Sequence, residues 1–288
     1  MFRYILVEAT GRETDMPVFR TALGLARVHA AHLAFLHVQP DLQKLAIPIA
    51  SAESGAGAGV AELIASLEQE ALTRHDKAKD AVRDFCAHEA ITMSATPLDA
   101  SPSAEWRVET GEAAYWLAVH GRVADLTLLG RVREHGDVST YVVDVALMET
   151  GRPLLIVPVQ PPAQIGQTVA IAWKDTAEAS SAVAAALPLL HRAQRVIILS
   201  VEEDARTDAA ACERLRHVLL WHNRATTVQC LAATGDEPVD ILLKAAAELG
   251  ADLLVMGGYG HSRMREVVFG GFTRRVLQAA DLPVLMAH

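Results

Sequence analysis

Residues 251–286 read ADLLVMGGYGHSRMREVVFGGFTRRVLQAADLPVLM, and this stretch decides the fold. Its first apolar run, 253–256, has the length and composition of a strand that is buried on both faces of a parallel sheet. A glycine-rich turn and a polar segment ending at Gly270 follow, then a helical segment (273–280) and a second apolar run (283–286). This order predicts a βαβ unit whose loop can hold a phosphate, because glycine lets backbone N–H groups approach it closely.

The same alternation of apolar runs and helical segments occurs twice along the chain, on either side of a stretch rich in proline and glutamine. We therefore predict two α/β domains with parallel sheets, residues 1–158 and 168–288, joined by a linker, residues 159–167. Ala-Asp-Leu precedes the fourth strand of both domains. The predicted strands are 4–9, 32–38, 105–110, 125–130 and 153–158, then 168–173, 195–201, 226–232, 253–256 and 283–286, and residues 92–103 are predicted to form a loop.

The glycine spacing Gly257-x2-Gly260-x9-Gly270 matches neither the P-loop nor the dinucleotide fingerprint. Together with Ala251-Asp252-Leu253 before it and Leu282-Pro283-Val284-Leu285 after it, it resembles the signature of the universal stress protein family. The resemblance covers the whole chain as architecture, while the motif itself is confined to the second domain. It implies two doubly wound, Rossmann-like domains, similar to the adenine nucleotide alpha hydrolases. Each would have five parallel strands in the order 3-2-1-4-5 and a site at the carboxyl ends of the strands.

This resemblance implies that the second domain binds ATP or a related adenine nucleotide, with or without Mg²⁺. The glycine loop and the helix start would hold the phosphates and ribose, and the ends of the first two strands would line the adenine pocket. The predicted site residues are Ala172, Lys174, Asp175, Val201, Gly257, Gly260, His261, Gly270, Gly271, Phe272 and Thr273. The acidic residues 202–204 either hold Mg²⁺ beside the nucleotide or form a surface turn.

Two of these positions depart from the family pattern. Nucleotide-binding members carry Asp where Lys174 stands, and Lys cannot accept a hydrogen bond; Asp175 can substitute if the turn shifts. Gly271 stands where members usually carry Ser or Thr, although Thr273 retains a hydroxyl nearby. A second hypothesis therefore stays open, in which the protein is a scaffold or interaction protein that binds no nucleotide.

The first domain does not keep the glycine loop. Arg133 stands at the second glycine position, and Val142–Val143 lie near the third. A β-branched side chain would block the approach of backbone to phosphate, so we expect no nucleotide there. We also interpret Arg131 as part of a solvated loop. Since family members dimerise through edge strands, the last strands of the two domains, 154–157 and 283–286, are expected to pair within one chain.

Composition excludes several other function classes. The 288 residues carry 26 Lys and Arg against 35 Asp and Glu, a net charge of −9 that argues against nucleic acid and anionic membrane surfaces. No apolar run reaches the ~18 residues of a membrane span, and the N-terminus resembles a strand and not a signal peptide. Cys86, Cys212 and Cys230 form no CxxC pair, which suits a reducing cytoplasm.

No nucleophile or acid–base constellation stands out in the sequence. We therefore expect a cytoplasmic stress-response protein that acts through a protein partner or a homodimer, and not a dedicated enzyme. Slow ATP hydrolysis is a third hypothesis.

Overall fold

The computed structural model describes residues 1–41, 57–98, 102–131, 140–201, 209–233, 235, 237–258 and 271–288. The first half of the chain contains β1 (Tyr4–Glu8), α1 (Asp15–His29), β2 (His32–Gln39), α2 (Gly57–His88), β3 (Thr92–Met93), β4 (Ser103–Thr110), α3 (Ala113–Gly121), β5 (Leu126–Gly130), α4 (Thr140–Thr150) and β6 (Leu154–Val157). The second half contains β7 (Thr168–Ala172), α5 (Ala177–Leu190), β8 (Arg195–Val201), α6 (Ala209–Leu219), β9 (Thr226–Leu231), α7 (Pro238–Glu248), β10 (Leu253–Gly257), α8 (Gly271–Ala279) and β11 (Val284–Ala287).

The strands of the described residues form one sheet, in the order β3-β4-β2-β1-β5-β6-β11-β10-β7-β8-β9. Neighbouring strands are parallel within each half. With β3 set aside, each half repeats the order 3-2-1-4-5, which confirms the predicted fold class. The halves join where β6 pairs antiparallel with β11, with Leu155 opposite Leu285. The predicted pairing of the last strands within one chain is therefore observed.

The helices cover the two faces of the sheet in turn, as expected when helices connect parallel strands. One core lies between the sheet and helices α1, α2, α5 and α6, and the other lies under α3, α4, α7 and α8. The middle strands are almost wholly buried; for example, β6 and β11 expose no residue. Among the helices that the structure describes, none combines the length and the apolarity needed to traverse a lipid bilayer.

The prediction of a loop over residues 92–103 was wrong at both of its ends. Thr92 and Met93 form the short strand β3, and β4 begins at Ser103, which pairs with Thr92. Both residues of β3 are exposed. The strand is held by backbone hydrogen bonds alone, so it leaves no apolar periodicity in the sequence.

The repeated Ala-Asp-Leu landmark has a structural cause. Asp125 accepts hydrogen bonds from the backbone N–H groups of Arg3 and Tyr4, at 2.7 and 3.0 Å. Asp252 accepts them from residues 166–168, at 2.6 to 3.1 Å. In both halves the carboxylate therefore fixes the start of the first strand against the start of the fourth.

Candidate functional site

Three of the predicted site residues lie side by side at the carboxyl edge of the second half. Ala172 ends β7, Val201 ends β8 and Gly257 ends β10, and β7 lies between the other two strands. The chain leaves β7 towards β8 on one side, while β10 pairs on the other, so this is the point where the strand order reverses. In open α/β sheets, ligands bind in the crevice at such a point.

The first turn of α8 reaches the same edge. Because α8 connects the carboxyl end of β10 to the start of the parallel strand β11, its N-terminus faces the ends of the strands. This turn contains Gly271, Phe272 and the buried Thr273. A helix N-terminus offers backbone N–H groups without intrahelical partners and a partial positive charge, and both favour an anion.

The remaining predicted site residues, Gly260, His261 and Gly270, lie outside the described residues, as does the acidic segment 202–204. The loop that would hold the phosphates therefore stays a prediction. Among the residues that the structure does describe, no group of three or more His, Cys, Asp or Glu side chains is arranged to hold a metal ion.

Lys174 and Asp175 form a tight exposed turn after β7, in which the N–H of Thr176 donates to the carbonyl of Lys174 at 2.7 Å. The Asp175 carboxylate pairs with Arg214 of α6 at 3.0 Å. The contact uses Oδ2, and a carboxylate can accept several hydrogen bonds, so Asp175 can accept from a nucleotide while it keeps this partner. Even the loss of the pair would cost little, because exposed ion pairs contribute only about 0–1 kcal/mol.

Gly257 is required by helix packing, whether or not a ligand binds. A Cβ at this position would lie 2.5 Å from the backbone nitrogen of Ala179 and 2.7 Å from the carbonyl carbon of Glu178, in the first turn of α5. Gly130 holds the corresponding position in the first half, where a Cβ would lie 3.1 Å from Val18. Both halves therefore have a glycine where the fourth strand ends close to the first turn of a helix, although the first half lacks the rest of the loop.

Gly271 is free of such a constraint, since a Cβ there would meet no atom within 4 Å. A serine would fit at this position. The absent hydroxyl therefore has no steric cause among the described residues.

In the first half, α2 covers the corresponding strand ends. A Cβ on Gly11, which follows β1, would collide with the backbone carbonyl of Arg74 in α2. The next residue of α2, His75, lies with its ring centre 5.3 Å from that of buried His37 in β2 and 6.1 Å from that of Trp106 in β4. The site edge of the first half is thus filled by side chains of its own helix.

Burial shifts the ionisable groups next to this filled edge towards neutrality. It raises the pKa of Glu8 to about 7, with a further contribution from the negative charge of Asp15. It also raises the pKa of Asp15, whose carboxylate accepts hydrogen bonds from the backbone of Thr10 and Gly11 at 3.0 and 2.8 Å. The pKa of His37 is lowered for the same reason.

Arg131 does not lie in a solvated loop, so that interpretation was wrong. The side chain is buried and donates to the backbone carbonyls of Gln278, at 2.8 Å, and Ala280, at the end of α8. The first half therefore contacts the helix that begins at the candidate site. The sequence carried no signal for this contact, because the partners lie 147 and 149 positions away.

The sequence and the fold were compared with known protein families and solved structures. The model of the universal stress protein family matches residues 132–288. A universal stress protein from Archaeoglobus fulgidus superposes with a TM-score of 0.69 at 15% identity, over 99% of this chain and 95% of its own. A Pseudomonas aeruginosa protein of unknown function gives a TM-score of 0.58 at 14% identity, over 99% and 92%. At these identities the two structures establish a shared fold.

A universal stress protein solved in complex with cAMP covers 55% of this chain and 98% of its own, at 16% identity. Its TM-score of 0.31 is too low to transfer its ligand to this chain. No curated protein matches the sequence.

Proposed function

Because the chain belongs to the universal stress protein family, we propose that its second half binds ATP or a related adenine nucleotide and that its first half does not. Membership of the family supports a role in the response to stress. The nucleotide would sit at the carboxyl ends of β7, β8 and β10, with its phosphates at the start of α8. Occupancy of this site would be the signal that a partner reads.

The observation that carries the proposal is the convergence of three features at one edge. Ala172 and Val201 end neighbouring strands at the reversal of strand order, and the first turn of α8 faces the same edge. The glycine spacing from Gly257 through Gly260 to Gly270 lies between that edge and that helix in the chain. Apolar strand ends suit a base, and a helix N-terminus suits phosphates.

The filled edge of the first half supports the second part of the proposal. The backbone of Arg74 lies against Gly11 after β1, and the ring of His75 lies 5.3 Å from that of His37 in β2, which supports a first half whose strand ends are covered by its own helix. One nucleotide per chain is therefore the expected stoichiometry.

The test is to denature the purified protein and identify any released nucleotide by chromatography and mass spectrometry. Wild type is compared with a Gly260→Val, Gly270→Val double variant. Gly24→Val is the control, since a Cβ at this exposed position of α1 would meet no atom within 4 Å. We expect about one adenine nucleotide per wild-type chain, none in the double variant and full occupancy in the control.

The alternative function, a scaffold that binds no nucleotide, is favoured by two observations. Asp175 is engaged by Arg214, and Gly257 is explained by helix packing alone. An empty wild type that also shows no thermal shift in millimolar ATP would decide for this alternative. A ligand at 100 times its Kd should stabilise the folded chain by about 2.7 kcal/mol. Turnover of ATP with Mg²⁺, measured on the same samples, would test for slow hydrolysis.

A further inference from the structure

The first contact between the halves lies at the C-terminal end of α8. Arg131 is only 6% exposed and follows β5 directly, where its own N–H donates to the carbonyl of Val157 at 2.8 Å. From this fixed backbone its guanidinium reaches the carbonyls of Gln278 and Ala280 in the second half. The last carbonyls of a helix lack intrahelical partners and carry a partial negative charge, so a buried arginine is well matched to them.

The second contact lies at the end of β10. The side chain of Leu147, on α4 of the first half, packs directly against Gly258, and a Cβ on this glycine would force the end of that side chain to move. Gly258 is fixed in turn by its own backbone. Its N–H donates to the carbonyl of Ala287 at 2.9 Å, and its carbonyl oxygen lies 3.1 Å from Nδ1 of His288.

These two contacts lie on the two elements that bound the candidate site. Gly258 is the residue after β10, and α8 carries Gly271 to Thr273 in its first turn. A helix of this length, nine residues, spans about 14 Å and moves as one body. A displacement of its C-terminal end, where Arg131 holds it, is therefore transmitted to the turn that faces the strand ends.

We propose that Arg131 and Leu147 are positioning residues for the nucleotide site of the other half of the chain. They hold the end of β10 and the helix α8, the two described elements that bound the site, in place. The inference rests on the nucleotide-binding function proposed above. The first half, which does not bind nucleotide itself, would in this way set the affinity of the second.

Such a coupling acts in both directions. If the contact between the halves strengthens nucleotide binding by a given factor, the nucleotide strengthens the contact by the same factor. The antiparallel pairing of β6 with β11 keeps the halves together throughout. The element that responds is the packing of α4 against Gly258 and of Arg131 against α8.

The experiment measures the Kd of ATP by calorimetry on the full chain, for wild type, Arg131→Met and Leu147→Ala. We expect each variant to bind about 5-fold or more weakly than wild type, the lower end of typical coupling between sites. Arg131→Lys should recover part of the affinity, because lysine can still donate to the two carbonyls.

Two neighbours provide matched controls. Among the described residues, the Arg122 side chain donates to the carboxylate and the carbonyl of Glu149, both in the first half, and Met148 is 49% exposed next to Leu147, so Arg122→Met and Met148→Ala should bind like wild type. Val145→Ala controls for stability, since Val145 packs against α3 within the first half. This variant should unfold more easily and yet bind ATP with the wild-type Kd.

Hydrogen exchange on the nucleotide-free protein gives a readout that does not depend on affinity. In the nucleotide-free protein, Arg131→Met should speed hydrogen exchange of the α8 amides. In a second measurement on the wild type, addition of ATP should slow hydrogen exchange in α4. Binding by both variants with the wild-type Kd would overturn the inference and leave the proposed function intact. A wild type that binds no nucleotide would overturn both.

Discussion

Gly130 and Gly257 occupy the same place in the two halves, because each ends the fourth strand directly against the first turn of the helix that follows the first strand. The two sites differ in what surrounds them. At Gly257 the nearest atoms are helix backbone, at 2.5–3.0 Å, whereas at Gly130 the nearest are Cγ2 of Val18 at 3.1 Å and Cβ of Thr14 at 3.3 Å, with the Thr14 carbonyl oxygen at 3.4 Å. Backbone cannot move aside as a side-chain end can, so the tolerance of the two positions should differ.

The loss of folding stability caused by alanine at a glycine should therefore depend on how tightly that glycine is packed. Gly257→Ala should destabilise the nucleotide-free protein by about 1–3 kcal/mol, the usual cost of overpacking. Gly130→Ala should cost less, and Gly271→Ala, whose Cβ would meet no described atom within 4 Å, should be neutral or slightly stabilising at the start of α8. Urea unfolding gives the three values. If Gly257→Ala and Gly271→Ala lost the same amount of stability, the close contact of Gly257 with α5 would not be what makes glycine necessary there.

The paired aspartates should be needed for folding stability in both halves. Asp252→Ala and Asp125→Ala each leave backbone N–H groups at a strand start without their acceptor, which should cost about 1–3 kcal/mol. Asp80→Ala, at an exposed ion pair on α2, should change stability by less than about 0.5 kcal/mol. If both landmark substitutions behaved like the control, the aspartates would not hold the strand starts.

A hydroxyl added at the start of α8 should strengthen nucleotide binding. Gly271→Ser introduces the side chain that family members usually carry, into open space. One additional hydrogen bond of about 0.5–1.5 kcal/mol corresponds to roughly a 2- to 12-fold lower Kd for ATP. Gly271→Ala adds the same Cβ without the hydroxyl and is the matched control. Equal affinities for both variants would contradict a phosphate contact at this position.

Asp144 should make stability fall as pH rises. It is buried in α4, neither carboxylate oxygen has a hydrogen-bond partner among the described residues, and burial raises its pKa from 3.8 to about 7. In the unfolded chain the carboxyl ionises near pH 4, while the folded protein keeps the proton until about pH 7. Ionisation therefore penalises the folded state increasingly between these values, and the penalty is complete above pH 7.

Asp144→Asn removes that penalty. Its stability relative to wild type should improve by about 1–3 kcal/mol between pH 4 and pH 8, as measured by urea unfolding at several pH values. A difference between the two proteins that did not change with pH would rule out a raised pKa in the folded state.

His37 should have the opposite dependence and weaken the fold in acid. Burial lowers its pKa, and Arg74 and His75 lower it further, against the raising effect of Asp15 and of the hydrogen bond to the carbonyl of Ala9. The unfolded chain binds the proton near pH 6.5, above the pKa of the folded state, so stability is lost as pH falls below about 6.5.

The matched variant for this prediction is His37→Asn, whose amide can still donate to Ala9 while nothing titrates. Between pH 6.5 and pH 5 it should lose less stability than wild type. A parallel decline of both proteins would assign the acid sensitivity to other residues.

Most of the sheet could be predicted from the sequence, because strands that are buried on both faces are continuous apolar runs. The run 253–256 is the centre of β10, and 154–157 is β6. β3 could not be predicted in this way, since Thr92 and Met93 are exposed and paired only through backbone. Pairing of that kind leaves no pattern of side chains to read.

The candidate site was harder to predict than the fold. The glycine spacing in the sequence does not distinguish two reasons for Gly257, its packing against α5 and a close approach of the backbone to phosphate. Both require a residue without a Cβ atom. The contact of Arg131 with α8 and the filling of the first half by His75 depend on tertiary neighbours distant in the chain. The loop residues Gly260 and Gly270 remain predictions.

The strand pairing between β6 and β11, which joins the two halves within one chain, also affects how each half can change by mutation. In a symmetric homodimer every substitution occurs in both copies, so neither copy can change its role alone. Here the two partners are encoded separately within one chain. Arg131 and Gly258 hold corresponding positions, each directly after the fourth strand of its half. Arg131 donates hydrogen bonds to the end of α8, whereas Gly258 leaves room for the side chain of Leu147. Joining the copies freed them to specialise, and it made their association independent of how dilute the protein is.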